Sequence, residues 1–199
     1  MTVKTKLAAA LIAGAAFAGA PGQAATCNTA NLTTSTACQA DIPGGPGGNV
    51  RITEMNAFNG GVGVFNVNAW QDLGKIDTAT AAGTFPSTFF SVSTNAGNGS
   101  GTWSLDPNTK FAAGESYAFV LKGGKDNVAY LLDTSVTSGA WTNLDLFTPN
   151  GKNNAGLSNM TLFGTATPAP VPLPAAAWLL LAGMGGLGAV ARKRKAALA

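Results

Sequence analysis

The chain has 199 residues, contains no histidine and carries a formal net charge of +3. Half of its twelve basic residues lie near the two ends, and the stretch between them holds six basic and nine acidic residues, a net charge of −3. A mildly acidic central region without a basic stripe argues against nucleic acid as a partner. The absence of histidine excludes Ser-His-Asp catalysis and removes the commonest zinc ligand.

The N-terminus has the pattern of a secretory signal peptide. Lys4 and Lys6 precede an uncharged, mostly apolar run over residues 7–20, which is too short to cross a bilayer, and small residues then flank Gln23. We therefore expect residues 1–24 to be a signal helix that signal peptidase removes by cutting between Ala24 and Ala25.

Two cysteines, Cys27 and Cys38, follow the expected cleavage site closely. In an oxidising compartment they are expected to form a disulfide that closes a small loop near the mature N-terminus. A metal site is the alternative, but two cysteines without any histidine are a poor ligand set. We expect no metal site here.

Residues 25–166 are expected to form one all-β domain, an antiparallel β-sandwich for which a jelly roll is one candidate topology. The clearest unit is a hairpin of two β-forming runs, 117–121 and 128–132, joined by a Gly-, Lys- and Asn-containing turn. Turn-rich clusters separate the other predicted strands, which are residues 50–55, 62–70, 89–94, 102–105, 143–147 and 157–163.

Catalytic chemistry has one weak candidate in this domain. Asp126 and Asp133 flank one hairpin strand, and paired carboxylates can hydrolyse glycosides. Asp is also favoured in turns for its own backbone hydrogen bonds, which accounts for Asp126 without catalysis. We therefore expect no catalytic residues and no enzyme.

Ligand chemistry is equally sparse. No cofactor is expected; a structural Ca²⁺ is an open alternative, but no calcium-loop spacing is present, so no ligands are assigned. The side chains that offer hard oxygen ligands are Asp72, Asp77, Asp106 and Asp126. Aromatic side chains could stack on sugars or fill the core, and the core is favoured for a domain of this size. These side chains are Trp70, Trp103, Trp141, Tyr117 and Tyr130.

The C-terminal tail has three parts in a fixed order. Residues 167–175 form a linker with prolines at alternate positions, residues 175–191 are an uncharged run expected to be a single transmembrane helix, and residues 192–199 are a basic cytoplasmic end. The basic stop-transfer cluster is Arg192, Lys193, Arg194 and Lys195. The domain would then lie outside the inner membrane, in agreement with the signal peptide.

The tail "VPLPAAAWLLLAGMGGLGAVARKRK" resembles the VPLPA variant of the PEP-CTERM sorting signals. The resemblance implies recognition and cleavage by an exosortase, a membrane protease of Gram-negative bacteria whose substrates are exported surface proteins often associated with exopolysaccharide. The sorting motif it implies is Val171, Pro172, Leu173, Pro174 and Ala175. Residues 99–164 are also similar, more loosely, to the β-rich ectodomains that precede such tails, which implies an architecture but no activity.

The sequence thus predicts an exported, non-enzymatic protein of the cell surface or extracellular matrix. It would pass through the inner membrane transiently, and exopolysaccharide is a candidate partner. The alternatives are a carbohydrate-binding module that uses exposed Trp or Tyr, and a glycan hydrolase that uses the Asp126 and Asp133 carboxylates.

Overall fold

The computed structural model describes residues 27–78 and 82–170, in which β-strands are the main regular structure. The strands are β1 (Ser35–Gln39), β2 (Gln71–Asp77), β3 (Gly83–Pro86), β4 (Phe90–Thr94), β5 (Ser100–Leu105), β6 (Thr109–Lys110), β7 (Tyr117–Gly123), β8 (Asp126–Leu132), β9 (Ser138–Thr142), β10 (Asn159–Gly164) and β11 (Ala169–Pro170). One helix, α1 (Ile52–Gly61), and three short 3₁₀ turns complete the described part. No helix within these residues is long and apolar enough to span a membrane.

The predicted signal peptide and its cleavage site, the sorting motif, the transmembrane helix and the basic cluster lie outside the described residues. They remain predictions from sequence.

Two antiparallel sheets form the body, which is consistent with the predicted β-sandwich. The larger sheet has the strand order β1-β8-β7-β10-β2, and the smaller one has the order β3-β4-β5-β9. The predicted hairpin is confirmed as β7 and β8, with Gly123 opposite Asp126 and a turn at Gly124-Lys125. Gly124 has a φ of +57°, a conformation that glycine adopts without steric cost.

The principal core lies between the two sheets. Phe119 on β7 contacts Phe90 on β4 and Trp103 on β5, with ring centroids 5.0 Å apart in both pairs. All three side chains are buried, and they belong to one apolar cluster that includes Leu121, Leu162 and Trp141. Inward-facing aromatic residues of facing strands therefore hold the sheets together.

A second core covers the opposite face of the larger sheet. Met55 of α1 and Trp70 pack there in a cluster with Val120 of β7 and Phe163 of β10. The Asn56 side chain makes two hydrogen bonds to the Trp70 backbone. Its Oδ1 accepts from the Trp70 N–H at 2.8 Å, and its Nδ2 donates to the Trp70 carbonyl at 3.1 Å. The segment before β2 thus forms a third layer, which explains why β7 and β10 are buried on both faces.

The strand predicted at residues 50–55 is wrong, because this stretch begins α1. The Arg51 backbone N–H donates to the Glu54 carboxylate at 2.9 Å, the reciprocal contact of a helix-capping box. A short apolar run does not distinguish a strand from a buried helix by periodicity alone.

The strands predicted at 62–70 and 143–147 are also wrong. Phe65 and Asn66 have φ values of 58° and 61° in a 3₁₀ turn, and the strand begins only at Gln71. In the second stretch the Leu146 N–H donates to the Asn143 carbonyl at 2.9 Å, which closes a turn. In the first stretch the Asn66 N–H likewise donates to the Gly63 carbonyl at 3.2 Å, so backbone turns take the place of both predicted strands.

Candidate functional site

The predicted disulfide between Cys27 and Cys38 is confirmed. It links the first described residue to β1, with the two Cα atoms 6.0 Å apart. The chain is tied again one residue later, where the Asn28 N–H donates to Asp145 Oδ2 at 2.9 Å. The start of the described body is therefore fixed to the edge of the larger sheet.

Asp145 joins this N-terminal attachment to the core. Its Oδ2 also accepts a hydrogen bond of 2.6 Å from the hydroxyl of Tyr130, a buried residue of β8. Burial raises the pKa of Tyr130 well above its ordinary value, and the hydrogen bond to Asp145 and the charge of that carboxylate raise it further. The neutral phenol is thus the form that the fold requires.

This arrangement predicts a loss of stability in alkali. An unfolded tyrosine has a pKa near 10, so the unfolded chain releases above that pH a proton that folded Tyr130 retains. The stabilisation is fully present below about pH 10 and falls at about 1.4 kcal/mol per pH unit above it. Tyr130→Phe has no proton to release, so its urea midpoint should decline less between pH 10 and 11.5 than that of the wild type. Parallel declines in the two proteins would contradict this account.

The structure separates the two carboxylates that were considered for glycan hydrolysis. Asp126 begins β8 and Asp133 follows its end, so seven residues at about 3.3 Å each put them roughly 23 Å apart. Glycosidase carboxylates lie within about 10 Å of each other. The pKa of Asp133 is lowered by hydrogen bonds from the Ser135 backbone N–H and hydroxyl, whereas a general acid needs a raised one. The positions of Asp126 and Asp133 therefore do not fit a pair of glycosidase carboxylates.

The four carboxylates considered for calcium do not come together either. Asp72 and Asp77 lie at opposite ends of β2, and Asp77 pairs with Lys75 at 2.7 Å. Asp106 caps its own turn through the Asn108 N–H at 2.8 Å, and Asp126 accepts the Phe147 N–H at the same distance. Within the described residues, no three His, Cys, Asp or Glu side chains are grouped so that they could hold a metal ion.

The aromatic side chains are core residues, as the sequence favoured. The side chains of Trp70, Trp103, Trp141, Tyr117 and Tyr130 are each at most 1% exposed. None of these five can stack on a sugar ring without unfolding the domain.

The outer face of the smaller sheet carries an array of hydroxyl groups, which we call the hydroxyl face. It is built by outward-facing residues of four strands that together contain no Asp, Glu, Lys or Arg. Its members include Thr84, Ser91, Ser93, Ser100, Thr102, Ser104, Ser138 and Thr142. Neighbouring strands pair these hydroxyls, with oxygens 3.0 Å apart in Ser91–Ser104 and 2.8 Å apart in Ser93–Thr102. Each hydroxyl can donate once and accept twice, so the array retains hydrogen-bonding capacity.

The end of the described chain lies at one end of this body. After β10, the Thr165 N–H donates to the Ser116 carbonyl, and the Ser116 N–H donates to Thr165 Oγ1, each at 3.0 Å. Pro168 is buried. Strand β11 then pairs with β6, with Ala169 opposite Lys110 and Pro170 opposite Thr109. The chain thus stays on the body up to the residue that precedes Val171.

These features define a disulfide-linked, two-sheet antiparallel β protein with an uncharged outer face. Comparison with protein-family models, with curated protein sequences and with solved structures finds no match.

Sequence reasoning missed the hydroxyl face and the Tyr130–Asp145 pair. The first had a readable signal, because "FSVS" in β4 and "TWSL" in β5 alternate apolar and hydroxyl residues with the period of a strand. The second joins residues from a strand and a distant turn and has no signal in the sequence.

Proposed function

We propose that this chain is an exported, non-enzymatic protein of the cell surface or extracellular matrix. Signal peptidase releases its N-terminus, the tail holds it transiently in the inner membrane, and an exosortase-type protease cleaves at the VPLPA motif. The observation that carries the proposal is the order of motif, uncharged run and basic cluster within residues 171–195. The Cys27–Cys38 disulfide supports it, because such bonds persist in oxidising compartments outside the cytoplasm.

Changes in the motif test the sorting step. Changing Pro172 and Pro174 together to glycine removes the fixed φ angles of the extended segment that a protease would bind. In the native host, the uncleaved precursor should then accumulate in the inner membrane. Ala177→Ser, just beyond the motif, is the matched control and should be processed like the wild type. Equal processing of all three proteins would overturn the role of the motif.

We propose further that the body associates with an uncharged polysaccharide through the hydroxyl face. A polysaccharide chain presents many hydroxyls that donate and accept, and the strands of this face carry no charge that would need a counter-charge. The tryptophans and tyrosines of the body are buried and take no part. The proposed contact with the polysaccharide therefore relies on hydrogen bonds from the hydroxyl face and not on aromatic stacking.

A charge placed on this face should weaken the association. Thr102 is exposed at its centre, and Thr102→Lys removes a hydroxyl and its pairing with Ser93. We expect retention on the host's purified exopolysaccharide to fall about three- to tenfold, since a hydrogen bond contributes about 0.5–1.5 kcal/mol. Thr36→Lys on β1 of the other sheet adds the same charge and should have no effect. Equal retention of both variants would contradict the role of the hydroxyl face.

A further inference from the structure

A groove lies where the hydroxyl face ends, beside the turn between β5 and β6. Its volume is about 510 Å³. Buried Phe90 and Leu105 contribute to its floor, and exposed Pro86 and Pro107 line its sides. Ser91, Ser104 and Ser138 also line it, together with Asp106, whose Oδ1 already accepts the Asn108 N–H. The lining is therefore apolar and hydroxylic with one engaged carboxylate.

The described chain ends opposite β6, the strand that follows the turn lining this groove. In the antiparallel pairing of β11 with β6, Pro170 lies opposite Thr109. A tail that continued in the same direction would run along the turn towards Pro107 and Asp106, which line the groove. At about 3.3 Å per residue, the five residues 171–175 reach roughly 17 Å, enough to cross it.

The chemistry of the tail matches that of the groove. Val-Pro-Leu-Pro-Ala is uncharged and apolar, and its alternate prolines favour an extended polyproline conformation. Polyproline segments bind preformed grooves at low entropic cost, because the peptide is already ordered. Here the groove is adjacent to the peptide in the same chain, so docking is intramolecular and has a high effective concentration.

We propose that the groove binds residues Val171–Ala175 of its own chain. The folded body then holds the sorting motif against the end of the smaller sheet, and the processing enzyme gains access only when the motif leaves the groove. The docking stands on the groove and the β11–β6 register alone, whereas the control of processing rests on the proposed sorting function.

Photo-crosslinking of the full chain after signal removal tests the docking directly. Benzoylphenylalanine at exposed Ser138 lies at the rim of the groove, while at Thr142 it lies on the same face of β9 about 13 Å away. Expressed in a host without an exosortase and solubilised in detergent, the Ser138 protein should crosslink to the peptide that contains residues 169–175. The Thr142 protein should not. No crosslink from Ser138, or equal crosslinks from both positions, would overturn the docking.

A groove-filling variant tests the consequence. Ser104→Tyr should abolish the tail crosslink from benzoylphenylalanine at Ser138 and raise the initial rate of precursor processing in the native host severalfold. Thr36→Tyr, at an exposed position of β1 in the other sheet, should leave both unchanged, and circular dichroism verifies that each variant folds. If Ser104→Tyr lost the crosslink but its precursor were processed at the wild-type rate, the proposal that docking shields the motif from the processing enzyme would be wrong. A wild-type precursor that crosslinks but is never processed would overturn the sorting function and leave the docking intact.

Discussion

Replacing Cys27 and Cys38 together by serine should lower the free energy of unfolding by about 3 kcal/mol. The bond joins residues eleven positions apart, and closing a loop of that size removes about this much chain entropy from the unfolded state. The effect should be large for the domain as a whole, because a typical domain is stable by only about 5–15 kcal/mol. Urea unfolding at pH 7, followed by intrinsic tryptophan fluorescence, measures the change.

Reduction of the wild-type protein supplies the control for this prediction. Dithiothreitol should lower the wild-type midpoint to that of the double variant and leave the variant itself unchanged. A double variant as stable as the oxidised wild type, or two free thiols in the untreated protein, would contradict the structure.

Gly101→Ala should destabilise the smaller sheet by about 3 kcal/mol. A Cβ at this inward-facing position of β5 would overlap the Ser93 carbonyl oxygen and approach Trp141 Nε1 to 2.9 Å. The Trp141 indole donates to that same carbonyl at 3.2 Å, so the methyl group would displace a buried side chain and break its hydrogen bond. Overpacking of a core and the loss of one hydrogen bond together account for the expected magnitude.

Gly83→Ala in the edge strand β3 is the matched control. Its added Cβ would lie 3.5 Å from the Phe85 ring, an ordinary van der Waals contact. Its midpoint in urea should stay within about 0.5 kcal/mol of the wild type. If the two variants were equally stable, the close approach of β4, β5 and Trp141 described here would be wrong.

The sequence predicts this fold where local signals agree with the tertiary arrangement. The hairpin of β7 and β8 combines β-forming residues with turn chemistry at Gly124, so both levels favour the same structure. The disulfide was predicted from the expected export and from the placement of Cys27 and Cys38. These predictions needed no knowledge of distant contacts.

The sequence fails where distant partners decide the local conformation. The third layer forms because Met55 and Trp70 bury their side chains on Val120 and Phe163, and nothing near residue 55 signals that contact. The short edge strand β1 is held by pairing with β8 and by the disulfide rather than by its own composition. The hydroxyl face lies between these two cases. The alternation of apolar and hydroxyl residues is visible in the sequence of β4 and β5, but the surface exists only because four strands lie side by side.

On the proposed function, the body and the tail of the chain have different roles. The core holds the aromatic side chains, the hydroxyl face presents an uncharged surface, and the described chain ends in β11, just before the predicted sorting motif. On this account the tail supplies the address, and the body is the delivered part that contacts the extracellular matrix.

The intact mass of the mature protein, taken from the surface and medium of its native host, tests the central claim most directly. We expect a chain that begins near Ala25 and stops close to Ala175, with any additional mass at the new C-terminus identifying an attached anchor. A mass that runs through to Ala199 would show a permanently anchored membrane protein and would contradict the sorting function.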